Sequence, residues 1–292
     1  MNYRTLWISL SLVIILSFGV LLYFGGEIYR QAPPIPSKIV DTQGNVIATS
    51  EDILDGQNIW QSTGGQQLGS VWGHGSYIAT DWTADWLHRE AVSILDKWGL
   101  DEFNLKFSKL DNEKQALLKA RLQNELRTNN YNSETGVLTI SEDRARAYND
   151  ISIHYKKLFM NDPELRSLRD AYAMKDNTIK DPERMTKLNS FFFWTAWAAV
   201  TLRPGEDITY TNNWPPEELV GNKPAGNLLL WTGFSVIMLI AGIGGMIFFY
   251  ARSKEEELNL YPVTNPLKGL AMTPSMKAIL KYCWVVVLLI VV

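Results

Sequence analysis

The sequence predicts a mainly α membrane protein in which transmembrane helices flank an extracytoplasmic, mostly helical domain. Three observations carry this. Apolar residues, 46% of the chain, gather into long runs towards its two ends. The interior between them places apolar residues at helical spacing among charged ones. The basic residues beyond the second run fall together in one short stretch.

Leu6 to Phe24 is apolar apart from Ser9, Ser11, Ser17 and Gly19. It is about long enough to cross a hydrocarbon core of roughly 30 Å. A cleaved signal peptide is the competing reading. Its apolar core would be shorter, and a small-x-small site should follow, which Phe24-Gly-Gly-Glu-Ile-Tyr does not supply. We therefore read residues 1–24 as an anchor helix, with Tyr23 and Phe24 in an interfacial aromatic belt. Residues 228–250 form a second span. Ala241 and Gly245 share one face of it and, with Gly242 and Gly244, make a patch of small residues suited to close packing against another helix. Arg252, Lys254, Lys268 and Lys277 place residues 251–277 on the cytoplasmic side, and residues 25–227 on the other. Residues 278–292 start a third span. Its apolar run continues to Val292 without a polar flank, so we expect a longer polytopic chain.

Within 25–227, Gln31-Ala-Pro-Pro-Ile-Pro is a stiff exit from the anchor. Lys38 to Ala48 reads as a hairpin turning at Gln43-Gly44-Asn45. Ser50 is expected to cap a short helix with Glu51 and Asp52 in its first turn, where the dipole favours acids. Asp81 or Thr83 starts a helix carrying Trp86, Leu87, Ala91, Ile94 and Leu95. From Asp111 to Arg127, Leu118, Leu122 and Leu126 recur every four residues. A turn at Thr135-Gly136 leads to a short strand, and Ser141 opens the next helix. Asp162-Pro163-Glu164 and Asp181-Pro182-Glu183 are matching helix starts, each an Asp cap with proline at the first helical position. The second leads into Phe191–Val200, read as a buried core helix, which Arg203-Pro-Gly-Glu-Asp ends.

Composition excludes several functions. A net charge of −3 without a basic patch gives no reason to expect a nucleic-acid partner. The one cysteine, Cys283, lies outside the soluble region, which therefore has no disulfide and no thiol chemistry. A covalently attached c-type haem, which needs C-x-x-C-H, is excluded as well. His74, His88 and His154 include no pair one helical turn apart, so solvated or hydrogen-bonded roles are expected for them rather than metal ligation.

The densest stretch is DGQNIWQSTGGQQLGSVWGHGSYIATDWTADWLHREA, from Asp55 to Ala91. Gly64-Gly65 and Gly73-His74-Gly75 mark positions of positive φ or close backbone approach. Trp60, Trp72, Trp82 and Trp86 offer large flat surfaces for a core or a docking face. On composition alone it is a loop-rich core segment. Taken with FFFWTAWAAVTLRPGEDITYTNNWPPEELVGNKPAG, from Phe191 to Gly226, it resembles the amino-terminal region of quinol-dependent nitric oxide reductases of the haem-copper oxidase superfamily. The order of the blocks and the flanking spans agree with that family, so the resemblance covers essentially the whole chain.

The resemblance implies an electron-carrier domain fused to a catalytic membrane domain. That enzyme reduces two NO to N₂O and water with two electrons from membrane menaquinol or ubiquinol. Its haem b groups and non-haem iron would lie beyond residue 292, so no catalytic or cofactor-binding residue is expected in this chain. The domain itself is expected to be cytochrome c-like without haem. Ser62-Thr-Gly-Gly-Gln-Gln stands where cytochrome c-dependent relatives carry C-x-x-C-H, and the four tryptophans fill the vacated space. The same comparison makes Gly75 and Tyr77 contacts of a calcium ion; a glycine loop without an ion is the alternative. Partners would be quinol and the catalytic helices; the small-residue face of the second span would pack on a later span of the same chain or on a second protomer. The rival reading is a membrane-tethered binding or sensor ectodomain without a redox role.

Overall fold

The computed structural model describes residues 3–73, 80–224 and 226–260. The chain divides into two compact units, Met1–Ala225 and Gly226–Val292.

The first unit begins with α1 (Tyr3–Arg30). Its part from Trp7 is long and apolar enough to cross a membrane and is not buried by protein. The helix runs six residues past the expected end at Phe24. Gly25 and Gly26 lower helix propensity without breaking the backbone hydrogen bonds, and Arg30 pairs with Glu27 at 2.6 Å across the last turn.

A four-stranded sheet follows, built from β1 (Lys38–Val40), β2 (Val46–Thr49), β3 (Tyr131–Asn132) and β4 (Val137–Thr139) in the order β2-β1-β4-β3. β1 pairs antiparallel with β2 and parallel with β4. Ile39 sits opposite both Ala48 and Leu138, and all three are buried, so one row of side chains seals the sheet onto the helices. The hairpin turns where expected: Asp41 accepts from the backbone N–H of Gln43 and of Asn45, and Gly44 takes φ +85°.

The helices are α2 (Ser50–Ser62), α3 (Trp82–Phe103), α4 (Asn112–Arg127), α5 (Glu142–Phe159), α6 (Arg166–Ala171) and α7 (Pro182–Val200). Asp81, Asp111, Ser141 and Asp181 each cap a helix with a side-chain oxygen. Asp81, not Thr83, opens α3. Thr49, not Ser50, caps α2, in a reciprocal box with Asp52. The extended backbone at the end of β2 leaves Thr49 outside the helix while Ser50 is already helical.

α7 is the centre of the unit. Every residue from Phe191 to Val200 is buried, which makes it a core helix wrapped by α2, α3, α5 and α4 rather than a membrane span. Leu118, Leu122 and Leu126 form the buried stripe of α4.

The second unit holds α8 (Gly226–Leu260). Leu229–Lys254 is long and apolar enough to cross a membrane. The helix continues ten residues beyond Tyr250, so the first part of the basic stretch 251–277 is helical. A run of good helix formers, Ala251 to Glu257, carries it. Open space surrounds Gly242, Gly244 and Gly245. Residues 261–277, and 278–292 read as the start of a third span, lie outside the described residues.

Candidate functional site

The two sequence blocks meet in space. Gly56 of α2 lies so close to α7 that a Cβ there would stand 2.1 Å from the Lys187 carbonyl oxygen. One turn on, Trp60 packs on Phe191 with ring centroids 5.9 Å apart. Gly64 and Gly65, at φ +128° and +53°, then turn the chain back. Trp60 Nε1 donates to the Gly69 carbonyl at 3.1 Å. Trp72 Nε1 donates to the Thr195 carbonyl at 3.0 Å, and its ring lies 5.5 Å from Trp194. Gly73, at φ +77°, approaches Trp214, whose Nε1 would be 1.9 Å from an added Cβ. A side chain at position 73 is therefore excluded both by φ and by contact.

One carboxylate organises this crossing. Asp81 Oδ1 accepts from the Ala84 backbone at the start of α3. Its Oδ2 accepts from Ser70 Oγ and from the Gly73 N–H, both at 2.7 Å. Three charge-assisted bonds on one side chain hold residues 70, 73 and 84 together.

Below it lies an aromatic interior. Trp82 stacks on Phe192 at 5.4 Å and touches Phe159 at 5.1 Å; Trp86 lies 5.3 Å from Tyr155 and 5.6 Å from Tyr148. Trp82, Trp86, Tyr155, Phe159, Phe192 and Phe193 are all fully buried. The polar atoms at its edge are paired selectively. Tyr155 donates to Asp85 at 2.8 Å, and Tyr148 shares a hydrogen bond with Ser190 at 3.1 Å. Burial raises both phenols above their ordinary value, Tyr155 the more. Arg144 Nε donates to Glu90 at 2.7 Å in a buried ion pair, with the guanidinium over the Phe193 ring.

The segment after α7 is fastened by amides and arginines. Asn222 donates to the Ala199 and Pro215 carbonyls. Arg127 donates to Asn213 and Asn222, and Arg203 to Tyr210, Asn212 and Gln31, the residue that follows α1. Trp214–Pro215 is a cis peptide.

This is the geometry of a folding core and a tethered loop, and one comparison names it. The family model for the NorB cytochrome c-like domain of nitric oxide reductase matches residues 36–216, more than half of the chain. The chain belongs to this family. No curated protein matches it.

A cytochrome c-like domain raises the question of haem. The residues present do not fit a covalently held one. Two thioether bonds need two cysteines, and the single Cys283 is far along the chain from the domain. Ser62 to Gln67, read as the counterpart of the attachment motif, forms the end of α2 and a tight turn. The interior between α3, α5 and α7 is packed with rings.

In this NorB-type domain the four tryptophans divide into two pairs. Trp82 and Trp86 are fully buried, while Trp60 and Trp72 are half-buried at the crossing of the blocks. His88 is exposed and bonds Glu217 at 2.9 Å. His154 is half-buried beside Arg89. Among the described residues no cluster of His, Cys, Asp or Glu is placed to hold a metal ion. His74, Gly75 and Tyr77, the last two the expected calcium contacts, lie outside the described residues.

Sequence reasoning passed over Gly56, Asp85–Tyr155 and Glu90–Arg144. Glu90 was legible in one respect: it falls on the same face of α3 as Trp86, Ile94 and Trp98, where a charge demands a partner.

His154 gives a pH dependence. Burial, reinforced by Arg89, lowers its pKa from 6.5 to about 4. In the unfolded chain the ring takes up a proton near pH 6.5; in the folded chain it does not until about pH 4. Stability from this residue is thus complete above 6.5 and falls as pH drops from 6.5 towards 4. Because the ring is partly exposed, screening holds the loss to about 1 kcal/mol. The variant His154→Asn should show a flatter dependence of melting temperature on pH across this window than the wild type does.

Proposed function

We propose that the chain is the amino-terminal region of a quinol-dependent nitric oxide reductase, its domain a haem-free derivative of a cytochrome c-like electron carrier. The observation that carries this is a NorB-type cytochrome c-like domain whose sequence lacks both attachment cysteines. A domain without haem gives a soluble cytochrome no electron-entry site, so electrons must come from a donor inside the membrane. Quinol is that donor. The catalytic haem b and non-haem iron belong to helices that follow this region. Calcium at Gly75 and Tyr77 belongs to the same proposal through the resemblance alone, and close packing on the Ala241–Gly245 face, by a later span of the chain or by a second protomer, through its small residues.

The test is NO consumption by the full-length gene product in detergent, with a reduced quinol analogue or reduced cytochrome c as donor. Turnover with quinol and none with cytochrome c is expected. Turnover with cytochrome c alone overturns the reading, and absence of turnover with either returns the chain to the tethered-ectodomain class.

The proposed location is the inner (cytoplasmic) membrane, with residues 25–227 extracytoplasmic. Fusions to alkaline phosphatase and to β-galactosidase after Arg203 should be active and inactive respectively. After Lys254 the pattern should reverse, because Arg252, Lys254, Lys268 and Lys277 favour the cytoplasmic face. Matching activities at both positions would remove one of the two spans.

A further inference from the structure

We propose that Tyr155 is a proton-coupled electron donor, built to take up an oxidising equivalent arriving on the buried tryptophans Trp82 and Trp86. The inference does not depend on the electron donor of the parent enzyme, since it rests on the interior of the domain.

Trp82 and Trp86 are fully buried, and neither Nε1–H has a hydrogen-bond partner among the described residues. An indole that loses an electron becomes a radical cation, which normally relaxes by giving up its N–H proton. Without an acceptor the proton stays, the cation sits in an apolar interior, and the oxidising power is retained. The hole must pass to a neighbour.

Tyr155 is the neighbour shared by both. Its ring centroid lies 5.8 Å from Trp82 and 5.3 Å from Trp86. Its hydroxyl donates to Asp85 Oδ2 at 2.8 Å. Asp85 is held in place by Arg89, whose Nε donates to the same oxygen at 2.7 Å and whose Nη2 donates to the other at 3.2 Å. Tyr148, which also touches Trp86, offers a contrast. Its hydroxyl meets the hydroxyl of Ser190, which is a poor proton acceptor. Of these two buried phenols, one has a carboxylate to receive its proton.

The step balances, and the one charge it leaves at the site is the Arg89 guanidinium, whose side chain is 30% exposed. One electron moves from Tyr155 to the Trp86 radical cation, and the phenolic proton moves to the Asp85 carboxylate. The products are neutral tryptophan, a neutral tyrosyl radical and a neutral carboxylic acid. The initiating oxidant is a small oxygen-centred radical of the carbonate-radical class, which oxidises an indole by one electron. Tyr172 is half-buried and 6.1 Å from Trp82, which gives the outside a ring-to-ring approach. A one-electron reductant of the ascorbate class returns the electron, and Asp85 returns the proton. The arrangement confines oxidation to one residue instead of leaving a reactive indole cation in the core.

The test uses the full chain in detergent, oxidised by flash-quench with a ruthenium(II) polypyridyl dye and read by electron paramagnetic resonance. The chain has 12 tyrosines, so the radical must be located. Installing 3-fluorotyrosine at Tyr155 adds a fluorine hyperfine splitting only if the radical resides there, and it leaves the ring packing in place. Expected are a tyrosyl signal carrying that splitting, and replacement of the signal by a tryptophan radical in Tyr155→Phe. Asp85→Asn should lower the rate of tyrosyl formation roughly tenfold or more, as loss of a positioned base does. A tyrosyl signal without fluorine splitting, or formation at the wild-type rate in Asp85→Asn, overturns the proposal.

Discussion

Replacing Arg144 by alanine is expected to lower the stability of the domain by about 3–5 kcal/mol, the range for removing one partner of a buried ion pair. Glu90 is fully buried and Arg144 is 3% exposed, so neither charge has water to fall back on. Their bond is made through one atom of each, Nε to Oε1 at 2.7 Å. The remaining Oε2 and Nη2 have no partner among the described residues. Without Arg144 the Glu90 carboxylate would face Phe193, Trp86 and the rest of the apolar interior, and must either take up a proton or draw in water. The variant Glu90→Ala should cost a similar amount by stranding the guanidinium. Changing both, as in Glu90→Met with Arg144→Leu, should recover most of the loss, because desolvation is then avoided altogether. Chemical denaturation of the full chain in detergent measures all three. A loss under about 1 kcal/mol in Arg144→Ala would mean that water already reaches the pair.

The second large effect is at Gly56. Its added Cβ would meet the Lys187 carbonyl oxygen at 2.1 Å and Phe191 Cβ at 2.7 Å. The nearest of these atoms is backbone of α7, the helix at the centre of the unit, so no side-chain rotation relieves the contact. α2 and α7 would have to separate, loosening Trp60 from Phe191. We expect Gly56→Ala to cost about 1–3 kcal/mol, the range for overpacking a core, although alanine is the better helix former by about 1 kcal/mol. Gly44→Ala is the control. Open space surrounds Gly44, so only the strain of its positive φ is felt. Thermal melts of the two variants should therefore differ clearly. If Gly56→Ala melts no lower than Gly44→Ala, the helices are less closely packed than these distances require.

Both effects arise from contacts between distant parts of the chain, which local patterns do not reveal. Helix starts were legible because a cap acts within three residues: Ser141 and Asp181 are read from the chain and found in place, Asp81 is one of two candidates read for α3, and at α2 the cap is Thr49, one residue before the expected Ser50. The stripe of Leu118, Leu122 and Leu126, the hairpin at Gly44 and the two long apolar helices are likewise local patterns. So were the two blocks that pointed to the family. Lengths were not legible. Asp162-Pro163-Glu164 and Asp181-Pro182-Glu183 start alike, yet the first opens a single tight turn and a six-residue helix, the second the 19-residue core helix. A cap sets where a helix begins, whereas burial along its faces decides how far it runs, and only the segment from Met185 to Val200 finds neighbours to bury it. The same reason hid the pairs. Glu90 meets Arg144 and Asp85 meets Tyr155 across 54 and 70 residues of chain, and Gly73 meets Trp214 across many more. No periodicity links such positions; they come together because α2, α3, α4 and α5 all pack around α7.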